Sequence, residues 1–297
     1  MSRKTRAAAF SVASNATLVI LKLIVGLLSG SVSILSEAIH SANDLLAAII
    51  AFFSVRVSDR PPDAEHPYGH GKIESISGAI EAGLIILAAV WIVVEAVRKL
   101  VSGGEVEYLG LGLAIMLFSV LLNVLVSRFL FNVARQEDSL ALEADAQHLA
   151  TDVYTSLGVA AGLSLVWLTG WHIIDPLVAI AVAVLISRVG WKLTRDAVGH
   201  LMDHGLPDGE IAQIEQLLRE DPRVRSWHDL RTRKSGSERY IDVHIVLRED
   251  ATLVEANQVA DDLERKFETV LPRSNVVIHP DPYDDSMARR QTPGQSS

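Results

Sequence analysis

Cysteine is missing altogether from this chain of 297 residues. Its absence excludes disulfides, thiolate metal ligands and cysteine nucleophiles, and leaves imidazole and carboxylate as the strong ligands on offer. Aromatic residues are scarce at 6%, whereas a site for organic cations would favour a large aromatic cage. Basic residues are outnumbered, giving a formal net charge of −9, which argues against nucleic acid as a partner. No His-Glu-x-x-His segment occurs, which removes an intramembrane zinc protease of that type. Beyond Gly205 no apolar run is long enough to cross a bilayer, for which roughly 20 residues of helix are needed.

What is abundant is apolar sequence. Hydrophobic residues make up 49% of the chain and gather into long runs in its first two thirds, a membrane composition followed by a soluble tail. Six spans can be laid on it: Phe10 to Ser29, Val32 to Val55, Ile76 to Leu100, Leu109 to Leu130, Leu149 to Leu168 and Ile173 to Val189. Basic residues flank alternate ends of these spans. Arg3, Lys4 and Arg6 precede the first, Arg56, Arg60 and Lys72 follow the second, Arg128 and Arg135 the fourth, and Arg188, Lys192 and Arg195 the sixth, against only Arg98 and Lys99 in the opposite loops. The distribution predicts that both termini face the cytosol. The first span carries Lys22 and is too long for a cleaved signal peptide, so it is expected to be retained.

The pattern changes at Leu206. An amphipathic helix runs from about Asp208 to Arg219, and strands over Val224 to Arg233 and Arg239 to Leu247 flank a Ser-Gly-Ser turn. A helix over Leu253 to Val270 and a last strand, Asn275 to His279, follow. The order helix, strand, strand, helix, strand predicts helices packed on one face of a small sheet. The expected division is a membrane domain over 1–205, a cytosolic α+β domain over 206–283 and a disordered tail over 284–297.

Inside the membrane the sequence repeats one spacing. His40 precedes Asp44 on the second span, and His148 precedes Asp152 at the entrance to the fifth. Residues four apart share a helix face, so two such helices facing each other present two nitrogens and two oxygens around a point, a tetrahedral set of the kind zinc takes. Ionisable side chains within a span cost ~3 kcal/mol or more each, which is expensive for packing bonds worth ~1 kcal/mol. Metal requires neutral imidazole and ionised carboxylate, so protons and metal compete for the same atoms, and at a site open alternately to each side that competition is antiport. Lys22 and Glu81 also lie within apolar spans and should have partners, while Glu37, one turn from His40, reads as a water-facing residue near the outer membrane edge.

His40-Ser-Ala-Asn-Asp44, Asp63-Ala-Glu-His66-Pro-Tyr-Gly-His70-Gly-Lys72-Ile-Glu74, His148-Leu-Ala-Thr-Asp152 and His228-Asp-Leu-Arg-Thr-Arg233 together resemble the cation diffusion facilitators, proton-coupled exporters of divalent metals. The resemblance runs from the first span to about Tyr283. It implies a transporter rather than an enzyme: a homodimer in the cell inner membrane, each chain joining six transmembrane helices to a metallochaperone-like domain of ferredoxin-like αββαβ order, without an organic cofactor. It implies His40, Asp44, His148 and Asp152 as the transport site, Asp63, His66 and His70 as a second site in a cytosolic loop, and His228, His244, His279 and Asp281 as a metal site in the tail domain. Lys72 and Asp203 match a charge interlock at the cytosolic edge of the membrane.

His at position 40 resembles the zinc-preferring branch, with iron and cobalt left open and manganese disfavoured. Zinc is implied as cargo and as a regulatory ion in the tail. A member of the family carries a further His at the position of Asn257; Asn is a poor zinc ligand, so one metal is expected in the tail rather than a two-metal cluster. The alternative to a transporter is a membrane metal sensor or scaffold, which would not require a full ligand set inside the membrane.

Overall fold

A computed structural model describes residues 2–29, 32–102, 110–171 and 173–281. The chain divides into two compact units, Met1–Leu201 and Met202–Ser297.

The first unit is a bundle of α1 (Arg3–Ser29), α2 (Val32–Ser58), α3 (Lys72–Ser102), α4 (Gly110–Glu137), α5 (Leu140–Thr169) and α6 (Ile174–Leu201). At 27 to 31 residues and about 1.5 Å of rise per residue, each exceeds the ~30 Å hydrocarbon core. Among the described residues, five helices have an apolar stretch able to cross a membrane by length and composition, α5 being the exception. Its first half carries Glu143, Asp145, His148 and Asp152. It nevertheless packs against α2, α3, α4 and α6 and completes the six-helix membrane domain.

Two apolar clusters hold the bundle, and α5 contributes to both. Ala141, Leu142 and Ala146 meet Ala7, Val55 and Leu130, while Ala144 joins Ala82, Ile85 and Ile186. Lipid is as apolar as leucine, so association between helices depends on close approach of small residues. Gly190 of α6 shows this: a Cβ there would sit 2.8 Å from Ile86 of α3. Leu27, Leu87, Trp91 and Leu121 are exposed on the outside of the unit, as suits side chains that face lipid tails.

A polar knot ties the bundle where α1 begins. Glu74, wholly buried, accepts from Lys4 Nζ at 3.0 Å, from Ser58 Oγ at 2.5 Å and from Ser139 Oγ. Lys4 also reaches Asp59 at 2.9 Å, and Asp59 accepts from Ser2. The helices extend further at this end than the predicted spans. α1 begins at Arg3 rather than Phe10, and α5 at Leu140 rather than Leu149, because these residues find partners between helices instead of in water.

The second unit contains α7 (Asp208–Glu220), β1 (Ser226–Ser235), β2 (Glu238–Val246), α8 (Leu253–Val270) and β3 (Ser274–Asp281). The sheet has order β1-β2-β3, antiparallel between the first pair and parallel between the second, so α8 is the crossover that parallel pairing requires. Ile241, Val243 and Ile245 alternate along β2 and pack with Ile278 against Ile214 and Leu218 of α7 and Leu263 and Phe267 of α8. Asp242 and His244 therefore point to the opposite face. Thr252 and Glu255 form a capping box at the start of α8. One irregularity interrupts the ladder: His228 pairs with His244 but Arg231 with Asp242, a bulge that gives β1 one extra residue. Asp229 there has a φ of 50°.

The sequence-predicted strand Asn275 to His279 runs two residues further. Pro280 reads as a strand terminator, yet β3 is an edge strand, where the missing N–H costs nothing, and Leu247 N–H still donates to the Asp281 carbonyl at 3.1 Å. Asp281 is thereby held in the sheet. The tail from 284 and His172 lie outside the described residues, as does the side chain of Glu37.

Candidate metal centres

α2 and α5 touch, and the contact brings the two imidazole–carboxylate pairs together. The pairing crosses between the helices. His148 Nε2 lies 3.3 Å from Asp44 Oδ1, and His40 Nε2 lies 3.8 Å from Asp152 Oδ1. His40, Asp44 and Asp152 can each place one ligand atom within 4.8 Å of the others. The fourth residue, His148, joins them through Asp44. A cavity of about 120 Å³ opens here, lined by His40, Asp44 and Asp152 together with Lys22, Ser41 and Asn123. Asp44 and His148 are buried, and Asp152 Oδ2 is buried without a hydrogen-bond partner among the described residues, an oxygen placed to receive a cation.

His148 lies two turns into α5, which begins at Leu140. The sequence reading missed Asp145. It lies three residues before His148, hence on the same face, and is buried. Glu81 of α3 is close enough to feel its charge and accepts a long hydrogen bond from Ser77 at 3.5 Å. The i,i+3 spacing to a singled-out histidine was the signal that would have found Asp145.

Between α2 and α3 lies the loop cluster. Asp63 Oδ1 accepts from the backbone N–H of Glu65 at 3.0 Å and of His66 at 2.7 Å, an Asx turn. The turn leaves the carboxylate beside both rings, at 3.1 Å from His66 Nδ1 and 3.3 Å from His70 Nε2. Gly69, at a φ of 78°, makes the bend that returns His70 to the carboxylate. The backbone N–H of His66 is the main cause that holds the Asp63 carboxyl below its usual range, against slight desolvation and with help from the His66 ring. An ionised carboxylate between two imidazoles is a three-ligand set that fits a divalent metal with one open position.

In the second unit the sheet register assembles the third cluster. His228, His244 and His279 are direct partners across β1, β2 and β3, so they form one rung on the face away from the helices. Their rings stack at centroid distances of 5.0 and 4.7 Å. Asp281, two residues beyond His279, shares that face and touches all three: 3.1 Å from His228 Nε2, 2.9 Å from His244 Nδ1 and 3.3 Å from His279 Nε2. The three histidines share one rung, and Asp281 reaches them from two residues further along β3. Asn257 is on α8, where its amide donates to Asp261 at 3.1 Å.

Lys72 and Asp203 belong to different units. Lys72 Nζ donates to the Leu201 carbonyl at 3.4 Å, and Asp203 accepts from Arg233 at 3.3 Å.

A helical membrane domain enclosing a small cavity of imidazole and carboxylate, followed by an α+β unit that carries a second such cluster, defines a membrane cation transporter. Comparison with known proteins gives the family. Residues 8–202 match the cation efflux transmembrane domain and residues 206–283 the cytoplasmic domain of cation efflux proteins. The chain belongs to the cation efflux family, the cation diffusion facilitators, and is a multi-pass membrane protein of divalent-metal efflux. It is 35% identical over 267 residues to the uncharacterized transporter sll1263 of Synechocystis sp., covering 89% of this chain and 86% of the relative. It is 32% identical over 278 residues to the cation-efflux pump FieF of Salmonella paratyphi A, covering 94% and 92%, and 32% identical over 287 residues to FieF of Klebsiella pneumoniae subsp. pneumoniae, covering 97% and 95%.

Proposed function

We propose that this chain exports zinc from the cytosol in exchange for protons, as a homodimer in the cell inner membrane with both termini cytosolic. The observation that carries the reading is the convergence of His40, Asp44 and Asp152 on one cavity within the helical bundle, with His148 joined to them through Asp44. Two imidazoles and two carboxylates suit zinc in tetrahedral coordination; iron and cobalt accept the same donors. Zinc entering from the cytosol displaces protons from these groups, and protons arriving from the outside displace zinc as the helices rock between two openings. The four groups titrate as a set, and no single residue owns the coupling.

Asp63, His66 and His70 form a second site, and His228, His244, His279 and Asp281 a third. Zinc at the third site draws two tail domains together and biases the membrane helices. A sensor or scaffold needs only the tail cluster; the ligand set inside the membrane bundle favours transport.

The test is zinc flux in proteoliposomes under an imposed pH gradient, comparing the parent chain with Asp152→Ala. Gradient-driven flux lost in the variant supports the antiporter and its site. No flux from folded, metal-binding parent protein overturns it in favour of a sensor.

A further inference from the structure

Lys22 lines the cavity that is to receive a cation. It sits in the apolar stretch of α1, is 4% exposed, and donates through Nζ to Ser41 Oγ at 2.8 Å. Ser41 follows His40 directly on α2 and is itself 2% exposed. Lys22 lines the same cavity of about 120 Å³ as His40, Asp44 and Asp152. An ammonium has no lone pair to offer a metal, so Lys22 cannot be a ligand. Its influence there is electrostatic.

A lysine in this position is costly unless negative charge lies near it, and Asp44 and Asp152 line the same cavity. A divalent ion bound between those carboxylates places two more positive charges beside the ammonium within a space of a few water molecules. Attraction and repulsion at such range are large because little solvent intervenes. The hydrogen bond to Ser41 fixes the head group next to the α2 donors instead of letting it snorkel to the interface.

We propose that Lys22 is a tethered counter-cation of the transport site, balancing Asp44 and Asp152 when metal is absent and opposing the bound metal by like charge. It thereby holds affinity low enough for release. The inference rests on the membrane quartet being the transport site.

The experiment uses the full-length protein in detergent and in proteoliposomes. His66→Ala, His70→Ala and His244→Ala are introduced throughout to silence the loop and tail clusters. Zinc affinity is measured by calorimetry, and zinc release by stopped flow, for Lys22→Met, Lys22→Gln, Lys22→Arg and Asp152→Ala. Lys22→Gln keeps a donor toward Ser41, so it remains informative where Lys22→Met does not fold. The neutral variants are expected to bind zinc at least about tenfold more tightly and to release it correspondingly more slowly, with Lys22→Arg near the parent. A merely structural lysine would not give a gain in affinity on removal. Unchanged or weakened affinity in the neutral variants, with binding still abolished by Asp152→Ala, overturns the proposal and leaves the site reading intact. Binding unaffected by Asp152→Ala overturns both.

Discussion

His148 Nε2 and Asp44 Oδ1 meet at 3.3 Å across 104 residues of sequence, and their contact joins α2 to α5 inside the membrane. Asp44→Asn keeps the shape and a polar partner for the ring but removes the charge. Zinc affinity of the membrane site should fall by at least about 100-fold, beyond what loss of an outer-shell partner alone brings, and gradient-driven flux should vanish with the melting temperature little changed. Calorimetry on protein with the loop and tail clusters silenced decides this; parent-like affinity would remove Asp44 from the site.

Glu74 is the hub of the knot where α1 begins. Glu74→Ala leaves Lys4 buried with less compensation and should destabilise the membrane unit by about 3–5 kcal/mol. The double variant Lys4→Met/Glu74→Leu should recover most of that loss, because no charge is then stranded. Thermal unfolding in detergent measures both. Equal stability of Glu74→Ala and parent would mean that the knot is not load-carrying.

Asp221 is buried in the second unit between Arg223 at 2.8 Å and Lys266 at 2.8 Å. Chiefly the Arg223 guanidinium, then Lys266, hold its carboxyl well below the usual carboxylate range despite burial. A carboxylate depressed on folding contributes stability that is complete above its unfolded pKa and is lost as pH falls towards the folded value. Unfolding of a 206–283 fragment should therefore show stability declining below about pH 4, and Asp221→Asn should flatten that limb. Superimposable acid profiles for the two proteins would contradict this.

Asp281 touches three imidazoles. Asp281→Asn should lower zinc affinity of the same fragment by more than about tenfold, and more than Asn257→Ala, whose amide is engaged with Asp261. Competition against a chromogenic chelator reads the difference. Equal effects of the two changes would move the site off the rung.

Zinc at that rung should also change the distance between the two tails of a dimer. Spin labels on Arg225 report it by pulsed dipolar spectroscopy with and without zinc, and an unchanged distance would rule out the coupling proposed for the tail.

Local spacing carried most of what was legible beforehand. His40 with Asp44 and His148 with Asp152 are one helical turn apart, so their shared faces follow from period alone, and Ile241, Val243 and Ile245 reveal their face by alternation. Longer-range features were hidden. Lys4 and Glu74 are 70 residues apart, and a basic cluster before an apolar run reads as a solvated flank until its partner is known. Glu143 to His148 reads as polar sequence outside a span, yet Ala144, Asp145 and Ala146 are buried between helices. Lys22 was recognisable as a buried charge, but its partner Ser41 was not, since a hydroxyl has no distinctive pattern. The ladder from His228 through His244 to His279 needed the parallel register of β3, which no local signal specifies.

The bulge in β1 has a consequence for the length of that strand. Asp229 and Leu230 together face Val243, the extra residue lying between two stretches of ladder that each keep their own pairing. Removal of Asp229 would leave Leu230 opposite Val243 and His228 still opposite His244, so the histidine alignment tolerates a one-residue deletion there. What such a deletion takes away is curvature. Asp229 serves the sheet as a spacer that aims the rung, and the rung itself is spelled by the residues on either side.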